Sequence, residues 1–328
     1  MKAILYTQYG SPDVLQYTDV AKPTPQANEV LVKIIAASAN PLDWHLMRAE
    51  PFLARLEAGL RKPKNPKLGA DIAGIVEAVG ANVSEFNVGD AVFGDVSSVG
   101  LGAFAEYVCV PEDKIALKPA NITFEQAAGV GVAGFTALQG LRDKGEIKAG
   151  QKVLVNGASG GVGTFAVQIA KSYGTEVTGV CSTRNLDLVR SIGADHVIDY
   201  TQEDFTRSGK TYDLIFDAVG NHSVSDYKRA LTPDGICSIA GFTTMPRLLE
   251  HMILGPLRSR NGQRQVGIMK TAYSNKADLL ILRELLESGK VVPVIDRAYP
   301  LTETADAIRY LETARARGKV IINVAPVS

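Results

Sequence analysis

Hydrophobic positions along the chain follow two rhythms, and the change between them falls near Thr123. Up to about Ala120, short apolar runs such as Val30–Ile35, Ile72–Val79, Asp90–Phe93 and Ala105–Val110 are separated by Gly-Asp, Asn-Pro and Pro-Glu-Asp sequences. Short runs bounded by turn formers predict strands of a compact, β-barrel-like domain. Beyond Thr123 the spacing predicts a helix over Ala127–Leu141, followed by regular alternation of strand and helix. Strands are expected at Val153–Val155, Glu176–Ser182, His196–Tyr200, Tyr212–Val219 and Gly235–Gly241, with an edge strand at Arg264–Lys270 and a helix at Asn185–Ile192. Such alternation implies right-handed crossovers and a doubly wound parallel sheet, so the fold class is α/β. Two further helices, Lys276–Ser288 and Thr302–Ala316, and a last strand, Lys319–Val324, are left over and are expected to pack back on the N-terminal domain.

The stretch from Gln151 to Lys171 adds chemistry to this pattern. A buried β-branched strand runs into a turn carrying Gly157, Gly160, Gly161 and Gly163. Val162, Phe165, Ala166, Ile169, Ala170 and Tyr173 then recur at helical spacing. Glycines there let the backbone approach a pyrophosphate, and the free amides opening the helix meet its negative charge. Strand, turn and helix in register separate this from an ordinary tight turn and predict dinucleotide binding. Gly157-Ala-Ser159-Gly160-Gly161 superficially resembles a serine nucleophile elbow, but the dinucleotide turn explains Ser159 better, as a phosphate ligand.

Composition narrows the remaining classes. A chain of 328 residues suggests about two domains. Zero formal net charge gives no general pull toward nucleic acid or an acidic membrane. No apolar run approaches the ~18 residues of a membrane span, and the start, Met-Lys-Ala-Ile-Leu-Tyr, lacks signal-peptide architecture. The three cysteines, Cys109, Cys181 and Cys237, are far apart; an odd, sparse set argues against a disulfide framework and leads to the expectation of a cytoplasmic protein. Two segments combine apolar and basic residues: Phe52–Lys67, with Arg55, Arg61, Lys62, Lys64 and Lys67, and Met245–Gln265, with Arg258, Arg260 and Arg264. Each reads either as a solvated basic surface over a local contact or as the wall of a substrate pocket or subunit interface.

Several motifs carry a resemblance covering essentially the whole chain. They are Tyr9-Gly-Ser-Pro-Asp-Val-Leu15, Asn40-Pro-Leu-Asp43, Gly69-Ala-Asp-Ile-Ala-Gly-Ile-Val76, Gly102-Ala-Phe-Ala-Glu-Tyr107 and Gly134-Phe-Thr-Ala-Leu-Gln-Gly140, with the glycine segment from Gly150 through Gln168 to Lys171. The chain resembles the medium-chain dehydrogenase/reductase superfamily, in its zinc-independent, quinone oxidoreductase-like branch. The resemblance implies a GroES-like catalytic domain over residues 1–124, completed by 270–328, and a Rossmann domain over 125–269, with the active site between them. Aligned by the motifs, Asn40, Ala70 and Val132 stand where zinc relatives place their ligands, and alanine and valine donate no electron pair. The four-cysteine lobe is also missing, since Cys109 is the only cysteine between Asp90 and Glu112. His45, His196, His222 and His251 show no ligand spacing, so no metal site is expected.

The resemblance also implies roles. Asn40, Asp43 and Thr136 would lie around the nicotinamide face, with Trp44 and His45 near the substrate; His45 is a candidate proton donor, although Leu42 replaces the hydroxyl of the usual relay. Ser159, Gly160, Gly161 and Val162 would hold the pyrophosphate, Val219, Gly241 and Phe242 would border the cofactor, and Lys319 would reach it from the tail. The second strand ends Cys181-Ser-Thr-Arg-Asn185, with no carboxylate for the ribose diol. Arg184 can clasp a 2′-phosphate, Ser182 and Thr183 add neutral donors, and Tyr200 matches a family position beside it, so NADP(H) is expected over NAD(H). Asp187, inside the next helix, is the nearest acid by sequence.

Three functions remain open at this level: an NADPH-dependent reductase of quinones or α,β-unsaturated carbonyls, an NADP-dependent alcohol or carbonyl dehydrogenase, and a non-enzymatic NADPH-binding protein. A small-molecule substrate, no nucleic-acid or membrane partner, and a homodimer are expected.

Overall fold

The computed structural model describes residues 1–50, 55–258 and 264–325. Contacts divide the chain into two compact units. One takes Met1–Val132, Tyr273–Ser288 and the chain from Pro293 on; the other takes Ala133–Ala272 and Gly289–Val292.

The first unit is organised by the strand Glu29–Ala39. Val30, Val32 and Ile34 alternate into a core shared with Ile72, Val76, Phe104, Val320 and Ile322, as the two-residue period of a strand requires. One edge pairs antiparallel with Asp71–Val79. The other is shared: residues 29–33 pair with Tyr107–Pro111, and residues 36–39 pair with the tail strand Lys319–Asn323. The sheet extends through Asp71–Val79 to Ala91–Asp95 and Ile115–Leu117, and through the tail strand to Ile295–Pro300. Ile295–Pro300 was not legible in the sequence, because an edge strand reading Ile-Asp-Arg-Ala-Tyr-Pro, with no fully buried residue, has no apolar alternation to announce it.

The second unit is a six-stranded sheet. Its order is His196–Asp199, Glu176–Cys181, Lys152–Asn156, Tyr212–Asp217, Leu231–Ile239 and Gln265–Ile268, and every neighbouring pair is parallel. Order therefore reverses between Lys152–Asn156 and Tyr212–Asp217, and open parallel sheets bind ligands outside the carboxyl ends of strands at such a switch point.

Two expectations change. The single helix over Ala127–Leu141 is instead Phe124–Ala128 and Gly131–Gln139, followed by a π-helical turn at Gly140–Lys144. Gly131 comes so close to Asp71 that an added Cβ would stand 2.2 Å from the carboxylate Oδ1. The close approach at that point takes precedence over helical continuity. Of the two basic segments, the described part of the first contains the short helix Arg55–Ala58, whereas the second includes the helix Met245–Arg258 and the strand Gln265–Ile268. That helix buries His251 and leaves Met245, Leu249, Met252 and Ile253 exposed. Phe52, Arg260 and the Arg258 side chain lie outside the described residues.

Candidate cofactor site and buried charge cluster

The glycine turn lies at the switch point. Gly157 has φ +80°, and Gly163, in the first turn of the helix Gly161–Ser172, packs on it so tightly that a Cβ would stand 2.0 Å from the Gly157 carbonyl oxygen. The opposite is true at the N-cap Gly160, where a Cβ would meet only that oxygen, at 3.4 Å. The turn is thus tight against the sheet and open above. The first-turn amides of Gly161, Val162 and Gly163 have no carbonyl one turn back to receive them. This cradle fits a pyrophosphate.

The tip of the second strand stands next to it. Asn185, almost fully buried, donates from Nδ2 to Ser159 Oγ at 2.9 Å and to Ser182 Oγ at 3.3 Å, linking the glycine turn to the strand tip. Its Oδ1 is buried without a hydrogen-bond partner. Arg184 is exposed on the same turn, and Tyr200, at the end of the neighbouring strand, is 63% exposed. The structure revises one detail. The carboxylate nearest this tip is Asp199, not Asp187: Asp199 accepts the Thr183 hydroxyl, and its other oxygen accepts from Thr201 N at 2.9 Å and Thr201 Oγ1 at 2.8 Å. Those hydrogen bonds, led by the Thr183 hydroxyl, hold Asp199 below the usual carboxylate range. Thr183, expected as a donor, spends its proton on Asp199.

At the next strand ends, buried Asp217 organises the backbone. Its Oδ1 accepts from Val219 N at 2.6 Å and Gly220 N at 2.7 Å, and its Oδ2 from Asn156 Nδ2 at 3.0 Å and from the Tyr227 hydroxyl. Burial, then the charge of Asp217, pushes the Tyr227 phenol far up, so it stays a donor. Val219 is held over Gly157, where a Cβ would meet Val219 Cγ2 at 2.7 Å. Gly220, at φ +63°, lies against Gly241 and Phe242, with 2.0 Å between its would-be Cβ and the Gly241 carbonyl oxygen. Val219, Gly241 and Phe242 are therefore brought together with the glycine turn; Asn156, Asp217 and Tyr227, which fix this arrangement, were missed. Thr136 belongs to this unit and is half-buried on the helix Gly131–Gln139.

The other expected residues lie in the β-rich unit, where Asn40 and Lys319 join Asp71 in a buried charge cluster. Lys319 Nζ is 2.6 Å from Asn40 Oδ1 and 3.3 Å from Asp71 Oδ2. The same Asp71 oxygen accepts from Ser38 Oγ at 2.6 Å and Asn40 Nδ2 at 3.0 Å, while Oδ1 accepts from Val132 N at 2.7 Å. Asn40 is thus engaged at both ends of its amide, and Lys319 is tied down within the unit. Asp43 has a structural task, accepting from Asn40 N at 2.7 Å and Gly69 N at 2.8 Å to open the helix Pro41–Arg48. Burial pushes Asp43 up to about 7, and burial with the neighbouring Asp71 charge pushes Asp95 up to about 6. His45 is exposed, stacks on Trp44 with ring centroids 3.6 Å apart, and its Nδ1 lies 3.0 Å from the Glu50 carbonyl oxygen. Among the described residues, no group of three or more His, Cys, Asp or Glu is arranged to hold a metal ion.

Comparison with known proteins agrees with this architecture. Residues 26–120 match the alcohol dehydrogenase GroES-like domain, and residues 192–322 match the zinc-binding dehydrogenase family. The 2-methylene-furan-3-one reductase of Solanum lycopersicum is 37% identical over 99% of this chain and 80% of that protein. The chloroplastic NADPH-dependent alkenal/one oxidoreductase of Arabidopsis thaliana is 36% identical over 99% and 80%. The solved quinone oxidoreductase of Coxiella burnetii superposes with a TM-score of 0.86 at 32% identity, covering 99% of both chains. With a GroES-like unit and a doubly wound nucleotide unit matched end to end by such relatives, the chain belongs to the medium-chain dehydrogenase/reductase superfamily, in its quinone oxidoreductase-like branch.

Proposed function

We propose that this protein is a zinc-independent, NADPH-dependent oxidoreductase that passes hydride to a quinone or to the carbon–carbon double bond of an α,β-unsaturated carbonyl compound. The observation that carries the reading is the open glycine turn, with Ser159, beside a strand tip that carries Ser182 and Arg184. NADPH, when bound, supplies the hydride, and the protein supplies orientation and electrostatics. Names of the relatives at 36–37% identity, which include reduction of an alkenal/one by NADPH, support the same substrate class.

Zinc independence is supported by the residues at the ligand positions. The side chains of Ala70 and Val132 have no electron-pair donor for a metal, Asn40 is committed to Lys319 and Asp71, and the Lys319 ammonium already places a positive charge among them. With no Lewis acid to hold an alkoxide, oxidation of a simple alcohol is disfavoured, whereas a conjugated acceptor spreads the developing charge over its own carbonyl system. Exposed His45, with Nδ1 directed at the Glu50 carbonyl, or solvent can return the proton.

A reducing compartment, the cytoplasm by our reading, is supported by three free cysteines, of which Cys109 and Cys181 have thiols pushed up to about 11 by burial. The structure contains no helix long and apolar enough to cross a membrane among its described residues. Association as a homodimer is supported by the edge strand Gln265–Ile268 and the exposed apolar side chains of the preceding helix.

The test is steady-state NADPH oxidation with a panel of quinones, enones, aldehydes and ketones, repeated with EDTA and with added zinc. Turnover of quinones or enones, indifferent to chelation, is expected. Efficient oxidation of simple alcohols with no activity on any quinone or enone would replace this reading with the dehydrogenase alternative, and NADPH binding with no turnover would replace it with a binding role.

A further inference from the structure

The direction of the hydroxyl protons around Asn185 carries an inference beyond the general placement of the cofactor. A carboxamide NH2 can only donate, and a serine hydroxyl has one proton and two lone pairs. Asn185 Nδ2 donates to Ser159 Oγ at 2.9 Å and to Ser182 Oγ at 3.3 Å, so each serine oxygen accepts from the amide and turns its own proton away from it. Thr183 is set the other way: its hydroxyl donates to Asp199 Oδ2, and its oxygen also lies 3.1 Å from Thr201 Oγ1. Asn185 itself is 5% exposed, and its two amide hydrogen bonds hold it between the glycine turn and the strand tip.

We infer that Asn185 is the positioning residue for NADPH over NADH, acting through Ser159 and Ser182 by fixing both hydroxyls as donors toward the 2′-phosphate, the one phosphate NADH lacks, while the Ser159 backbone amide is left for the pyrophosphate. The inference rests on the NADPH reading above. Phosphate oxygens only accept, so they gain from hydroxyls whose protons already point outward. A ribose 2′-hydroxyl donates or accepts and gains far less. Asp199 works in the opposite sense, turning Thr183 into an acceptor that suits a ribose hydroxyl and places a negative charge beside the tip. The balance of the two amide-fixed donors against the Thr183–Asp199 pair sets how strongly the protein discriminates between the dinucleotides.

The experiment measures Kd for NADPH and for NADH by fluorescence titration on the wild type, Asn185→Ala, Asn185→Asp, the double variant Ser159→Ala/Ser182→Ala, and the combination of that double variant with Asn185→Ala. Melting temperature is recorded for each. Asn185→Ala should raise the NADPH Kd roughly tenfold, the loss of about one hydrogen bond to a charged group, while the NADH Kd changes less than about twofold. Asn185→Asp, which keeps the shape but accepts the serine protons, should raise the NADPH Kd further, and it serves if the alanine variant folds poorly. In the background lacking both serine hydroxyls, removal of Asn185 should have little further effect, because residues acting as one unit are non-additive. Equal weakening of both dinucleotides, an unchanged NADPH Kd, or full additivity with the serine variants overturns the inference while leaving the cofactor reading intact. A wild-type protein with no preference for NADPH overturns the cofactor reading itself, and the inference with it.

Discussion

Replacing Lys319 by Met tests the charge cluster directly. The ammonium is 3% exposed and has Asn40 Oδ1 at 2.6 Å and Asp71 Oδ2 at 3.3 Å. Methionine fills similar volume but removes the charge, leaving the Asp71 carboxylate buried with only neutral donors: Ser38 Oγ, Asn40 Nδ2 and Val132 N. Removing one member of a buried ion pair typically costs about 3–5 kcal/mol, because the remaining charge is uncompensated. Asn40 Oδ1 also loses its partner, and an orphaned buried acceptor costs about 1–3 kcal/mol. The three neutral donors left on Asp71 offset part of this, so a loss of about 3–5 kcal/mol in total is expected. Urea unfolding followed by circular dichroism measures it, with Asp71→Asn and the double variant completing a cycle. The two residues should couple by about 2 kcal/mol, inside the range found for contacting charged pairs. The carboxylate is the liability once the lysine is gone, so the double variant should be more stable than Lys319→Met alone. A coupling below about 0.5 kcal/mol, or a Lys319→Met protein as stable as wild type, would refute the argument.

Other expectations follow from single contacts. Gly163→Ala places a methyl 2.0 Å from the Gly157 carbonyl oxygen and should cost about 1–3 kcal/mol while abolishing NADPH binding; normal binding and melting temperature in this variant would contradict the cradle geometry. Asp43 is pushed up to about 7, so between its ordinary value of 3.8 and about 7 the folded state holds a proton that the unfolded state has released. Stability contributed at this site is therefore greatest at low pH and falls as pH rises through that window. The penalty of Asp43→Asn, measured by urea unfolding between pH 5 and pH 8, should accordingly shrink as pH rises; a penalty that stays flat would mean that Asp43 is ionised in the fold across the range.

The residues of the dinucleotide turn were legible because their logic is local. Gly157, Gly160, Gly161 and Gly163 lie between a strand and a helix that immediately adjoin them, and a glycine is needed where φ is +80° or where a Cβ would strike the next turn. The alternation after Thr123 was equally local, and it was enough to fix a parallel sheet. Asn185, Asp199 and Asp217 were not legible. Asn185 meets Ser159 across 26 residues, Thr183 meets Asp199 across 16, and Asp217 meets Asn156 across 61. Those distances close only when neighbouring parallel strands align their carboxyl ends.

The sequence by itself determined the two rhythms, the glycine turn, the absence of donor atoms at Ala70 and Val132, and the family resemblance. Each of these is carried by residue type at short spacing. Tertiary structure alone decided what the polar side chains do. Asn40 and Lys319, expected to face the cofactor, satisfy one another across 279 residues because the tail strand returns beside Ser38 and Ala39. A buried charge must be paired, and the partner that pairs it is chosen by strand register, which no local pattern records.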